Sequence, residues 1–107
     1  MGLRMTTSVL KVIAALLADP TAERYGLQLM DATGLPSGTL YPILVRLEHA
    51  GWVRSEWETI DPVAEGRPSR RYYRLTAEGE TEARREVAAM HQQLTRGTGT
   101  TQPGLTT

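Results

Sequence analysis

Three short stretches with apolar residues at three- and four-residue spacing, each closed by a helix breaker, constrain this chain more than any other feature. In the first, Val9, Val12, Ile13, Leu16 and Leu17 form one apolar face, Thr6, Thr7 or Ser8 can cap it, and Asp19-Pro20 ends it. The second is expected to run from about Glu23 to Ala32, with Leu29 and Met30 inward and Gly34 past its end. The third, roughly Ser37 to Ala50, carries Leu40, Ile43, Leu44 and Leu47 and stops at Gly51. Its start is ambiguous. Pro42 is harmless in a helix beginning at Thr39 but becomes an interior kink if the helix begins earlier.

The pattern then changes period. From Trp52 to Glu58 the residues alternate, with Val53, Ser55 and Trp57 on one face and Arg54, Glu56 and Glu58 on the other. Arg71 to Leu75 is a second strand candidate, and Thr59 to Ser69, with Pro62, Gly66 and Pro68, suits a long hairpin tip. Thr76 can cap a last helix whose first turn carries Glu78 and Glu80. Its Ala83, Val87, Met90 and Leu94 lie at a/d spacing, a narrow stripe suited to a helix-helix seam. The Gly/Thr-rich segment 97–107 is expected to be a disordered tail.

The fold expected is therefore mainly α with a two-stranded β-hairpin wing: a winged helix-turn-helix over residues 6–76 and a C-terminal dimerisation helix over 77–96. A length of 107 residues with 40% hydrophobic content fits one compact domain of this kind. There is no cysteine, which excludes disulfides, thiolate metal sites and thiol catalysis. The apolar run Val9 to Ala18 is interrupted by Lys11 and falls short of the ~20 residues of a membrane span. It is expected to be a helix of the mature protein, not a leader, and the protein to be cytoplasmic. His49 and His91 have no ligand-spacing partner, so neither an enzyme, a metal site nor a cofactor is expected.

Twelve basic and twelve acidic residues cancel, so any pull toward nucleic acid must be local. Arg67, Arg70, Arg71 and Arg74 fall within eight positions free of acid. Phosphate oxygens are one natural counterpart, because the planar guanidinium donates two bonds to one phosphate. A solvated hairpin salt-bridged to Glu56 and Glu58 is the other, and the cluster alone leaves both open.

The ordered set Tyr25-Gly26, Gly38-Thr39-Leu40-Tyr41-Pro42, Arg46-Leu47-Glu48, Gly51, Gly66-Arg67-Pro68 and Tyr72-Tyr73-Arg74-Leu75-Thr76-Ala77-Glu78-Gly79 resembles the PadR-like winged-helix transcriptional regulators, in the short form with one C-terminal helix. The resemblance covers about Val9 to Leu94. It implies a DNA-binding regulator, a repressor on an inverted-repeat operator, with Ser37, Gly38, Thr39 and Tyr41 leading the recognition helix toward double-stranded DNA. It also implies that Arg67, Arg70 and Arg71 approach phosphates from the wing. The chemistry of these residues agrees: small Ser37 and Gly38 permit close approach, and Thr39 and Tyr41 offer hydroxyls. Capping by Ser37 or Thr39 and core packing of Tyr41 are the structural alternatives.

A homodimer is expected from unmet burial, with Val9, Ile13, Leu16, Ala83, Val87, Met90 and Leu94 at its interface. In the family that interface can hold small aromatic effectors, which keeps Trp52 and Trp57 in view. The last helix has no aromatic residue, which speaks against a stacking pocket built from it. The competing reading is a winged-helix protein-protein interaction module, since the fold hosts both uses.

Overall fold

A computed structural model describes the backbone of residues 3–106 and the side chains of residues 3–95. Helix α1 spans Thr7–Leu17, and of the three candidate caps it is Thr6 whose hydroxyl accepts the Val9 N–H, at 3.1 Å. Helix α2 spans Gly26–Thr33 and ends at Gly34, whose left-handed φ of 74° suits glycine. Helix α3 spans Ser37–His49. It starts early enough to place Pro42 inside the helix, so the N–H that would bond the Gly38 carbonyl does not exist.

The predicted start of α2 at Glu23 is corrected, because Arg24–Tyr25 is extended and forms strand β1. It joins β2 (Val53–Trp57) and β3 (Arg71–Leu75) in an antiparallel sheet of order β1-β3-β2, so the sheet has three strands where two were expected. The hairpin register runs from Val53 opposite Leu75 to Trp57 opposite Arg71, and β1 places Arg24 opposite Tyr73 and Tyr25 opposite Tyr72. The reason is the open edge of β3: the segment entering α2 satisfies backbone groups that a lone hairpin would leave to solvent. The loop between β2 and β3 holds one helical turn, α4, at Pro62–Glu65.

Helix α5 spans Ala77–Thr106. Thr76 begins it, accepting the Gly79 N–H at 2.9 Å, and its own hydroxyl donates to the Gly51 carbonyl at 2.7 Å. A Cβ on Gly79 would run into the backbone carbonyl of Trp52, so this otherwise poor helix former permits the close docking of α5 on the end of α3 and the start of β2. The helix runs past residue 96, where the sequence predicts a boundary. Extending a formed helix adds a hydrogen bond for each residue fixed, so it is far easier than starting one.

The core gathers α1, α2, α3, one sheet face (Val53, Tyr73, Leu75) and Ala83 of α5. Much of the apolar surface expected at the dimer interface is covered within the chain itself. Val9, Ile13, Leu16 and Ala83 are no more than 1% exposed within the chain itself, and Val87 packs against the same core. Because α5 lies on α1 of its own chain, Val9, Ile13, Leu16 and Ala83 are covered within the chain, while Val87 keeps part of its surface open. Met90 is half-buried, whereas Leu94 is 63% exposed. Among the described residues no helix is long and apolar enough to cross a membrane.

Candidate nucleic-acid interface

Burial of Leu40, Ile43, Leu44 and Leu47 fixes α3 on the core and turns its remaining faces outward. At its leading end Ser37 and Gly38 are exposed and Thr39 is half-buried. Neither hydroxyl caps the helix, since the capping position is Pro36, without a side-chain bond. The N–H groups of Thr39 and Leu40 both reach the Pro36 carbonyl, at 3.0 and 2.9 Å. Those of Ser37 and Gly38 have no acceptor within a helix turn, the arrangement that favours an anion at a helix start.

Tyr41 is 40% exposed. A Cβ on Gly26 would collide with its hydroxyl and ring, so the phenol lies against the bare backbone that opens α2. The ring is packed and still open to solvent. Facing it across a cleft of about 390 Å³ are Trp57, Arg70 and Arg71 of the wing, with Leu27 at the rim.

The wing is organised by Glu58. Its carboxylate accepts both Arg67 amino groups at 2.6 and 3.2 Å, the Tyr25 hydroxyl at 2.6 Å and the Arg70 N–H at 2.9 Å. The bonds from Arg67 and then Tyr25 hold the Glu58 carboxyl well below its ordinary value of 4.5, at about 2. The same partner pushes the Tyr25 phenol and the Arg67 guanidinium up. Arg67 is thus engaged inside the wing, where a bidentate ion pair with Glu58 occupies its fork and competes with the phosphate contact expected of it.

Arg71 is held at 3.0 and 2.7 Å on the Ser55 hydroxyl, which donates to Glu48 of α3 at 2.7 Å, and its guanidinium lies 5.3 Å from the centre of the Trp57 ring. Arg70 is exposed, with its guanidinium 5.5 Å from the Tyr25 ring centre, and among the described residues no ion pair engages it. The fold therefore brings Tyr41, Arg70 and Arg71 to one cleft, leaves Ser37, Gly38 and Thr39 off its lining, and withdraws Arg67. Sequence reasoning missed Tyr25 and Leu27. Leu27 carried a signal, because it falls off the Leu29 and Met30 face of α2 and is 69% exposed.

The sequence matches the model of the transcriptional regulator PadR-like family over residues 13–85, more than half of the chain. The chain belongs to this family. As a PadR-like chain it is a DNA-binding regulator of transcription, and its fold is shared by solved relatives. A PadR family transcriptional regulator from Eggerthella lenta is 32% identical, with 83% of this chain and 78% of that one covered and a TM-score of 0.63. A protein of Streptococcus mutans is 25% identical over 94% of each chain, with a TM-score of 0.72. A PadR-like transcription factor of Bacteroides fragilis is 24% identical over 85% of each, with a TM-score of 0.66. No curated protein matches the PadR-like chain.

Proposed function

We propose that this PadR-like chain is a cytoplasmic repressor that binds an inverted-repeat operator as a homodimer. In this reading Ser37, Gly38, Thr39 and Tyr41 meet base edges and phosphates in the major groove, and Arg70 with Arg71 meets the backbone. The observation that carries it is the leading end of α3: a core-anchored helix whose first residues, exposed at Ser37 and Gly38 and half-buried at Thr39, make no side-chain hydrogen bond among the described residues. Polar groups so placed are available to a partner.

The dimer keeps the Met90 and Leu94 end of the interface expected from sequence and adds the start of the chain to it. Leu3, Met5 and Leu10 are only partly covered, and a groove of about 240 Å³ runs between Met5, Leu10, Ala89 and Met90, with Glu86 and Gln93 also lining it. A second copy seated there would bury the groove and Leu94 with it, and a small aromatic effector would have its place in what remains of that groove. Two-fold symmetry then sets the half-sites one helical turn apart, roughly 34–36 Å.

Sedimentation equilibrium, paired with titration of a palindromic duplex, tests both parts. A dimer at micromolar concentration is expected, and Met90→Glu should split it and weaken operator binding at least tenfold, since a charge cannot be buried there unpaired. A wild-type monomer, or a Met90→Glu protein that stays dimeric and binds normally, would defeat the proposal. A winged-helix interaction module is the second reading, favoured by zero net charge and by the internal pairing of Arg67. Heparin separates the two: a DNA binder is retained at low salt and released by moderate salt.

A further inference from the structure

Glu58 is the residue at which the chain leaves β2 for the wing loop, and every group around it belongs to the placement of Arg70. Its N–H donates to the Arg70 carbonyl at 2.8 Å, its carbonyl accepts the Ser69 hydroxyl at 2.7 Å, and its carboxylate accepts the Arg70 N–H at 2.9 Å. The backbone of Arg70 is therefore fixed on both sides by one residue. The platform under the Arg70 guanidinium is fixed by the same residue, because the Tyr25 ring is tethered through its hydroxyl to Glu58 at 2.6 Å. An edge contact with Tyr72, centroids 6.3 Å apart, sets the tilt of that ring.

A carboxylate this close would ordinarily capture the Arg70 side chain itself. It does not, because Arg67 fills both oxygens and neutralises the charge, which leaves the Arg70 guanidinium to an outside anion. We propose that Glu58 is a positioning residue that, with Arg67 as its internal counter-ion, presents Arg70 to a DNA phosphate. The inference rests on the reading that the wing meets the DNA backbone. It assigns Arg67 a purpose other than phosphate binding and predicts that removing an acid from the wing weakens binding to a polyanion, the opposite of what net charge dictates.

The experiment measures affinity for one palindromic duplex against salt for wild type, Glu58→Gln, Arg70→Ala and the double variant. Arg70→Ala is expected to reduce the salt slope by about one for each protomer. Glu58→Gln should reduce it by a similar amount and weaken low-salt binding roughly tenfold, although it removes a negative charge. In the double variant, Glu58→Gln should add nothing to Arg70→Ala. A merely structural acid would lower the melting temperature without changing the slope of the folded protein. Should Glu58→Gln not fold, Tyr25→Phe removes only the tether and is expected to lower the slope by a smaller amount.

Tighter binding by Glu58→Gln, a wild-type slope in Glu58→Gln or Tyr25→Phe, or additive losses in the double variant would overturn the inference while leaving the regulator reading intact. Wild-type protein with no affinity for any duplex would overturn both.

Discussion

The two halves of the proposed DNA-facing surface are held in place by opposite means. Helix α3 is positioned by burial, with Leu40, Ile43, Leu44 and Leu47 at no more than 2% exposure, and its outward residues make few bonds of their own. The wing buries little, with Val63 at its tip 90% exposed, and takes its shape from ion pairs and hydrogen bonds around Glu58 and Ser55. Apolar packing is indifferent to pH and salt near neutrality, whereas a polar clasp responds to both. The helix can therefore be damaged only through the core, and the wing can be loosened while the core stands.

The largest expected effect breaks the helix side. Leu44→Ala should destabilise the protein by roughly 2–5 kcal/mol, the usual loss for a fully buried leucine, and urea unfolding should show both halves melting together. A wing that kept its structure while α3 melted would end the comparison.

Acid should sharpen it from the other side. The Glu58 carboxyl is depressed from 4.5 to about 2 in the folded protein, so the stability it contributes is complete above about 4.5 and is lost as pH falls toward 2. Between pH 6 and pH 3 the wild-type melting temperature should fall further than that of Glu58→Gln, which has no such group to protonate. Equal falls would mean that Glu58 contributes nothing to the folded state.

Smaller still is the expected effect of Tyr41→Phe on stability, within about 0.5 kcal/mol, because the ring that rests on Gly26 remains. Operator preference should drop severalfold in a competition titration, the hydroxyl being the part left for DNA. A large fall in melting temperature with normal binding would make Tyr41 structural. Val63→Ser should be nearly silent in stability, within about 0.5 kcal/mol. Any marked loss of duplex affinity would show that the wing tip reaches further than its clasped base.

What the sequence makes legible follows the range of each interaction. Helices α1 and α3 and strands β2 and β3 are encoded by local periodicity, and their core residues follow directly. Strand β1 has two residues and exists only through pairing with Tyr72 and Tyr73, more than forty positions away, so nothing near Arg24 announces it. The stripe through Val9, Ile13 and Leu16 shows that these residues are buried but not by whom, and here the answer is the chain's own α5 and core. The wing arginines are visible as charge. Which of them is already matched depends on how the loop closes, and Arg67 meets Glu58 across nine positions that periodicity cannot bridge.

The pairing inside the wing also bears on how such a protein would travel. Arg67 and Arg71 each have an acidic neighbour within the chain, and the whole molecule is neutral, so its long-range pull on a polyanion is slight. Retention on arbitrary duplex grows with the number of phosphates neutralised, and each wing arginine matched by an internal acid is one fewer cation offered to them. In the proposed operator-binding regulator, search would then favour release and recapture over long sliding, with close-range fit at the start of α3 setting the time spent at each site.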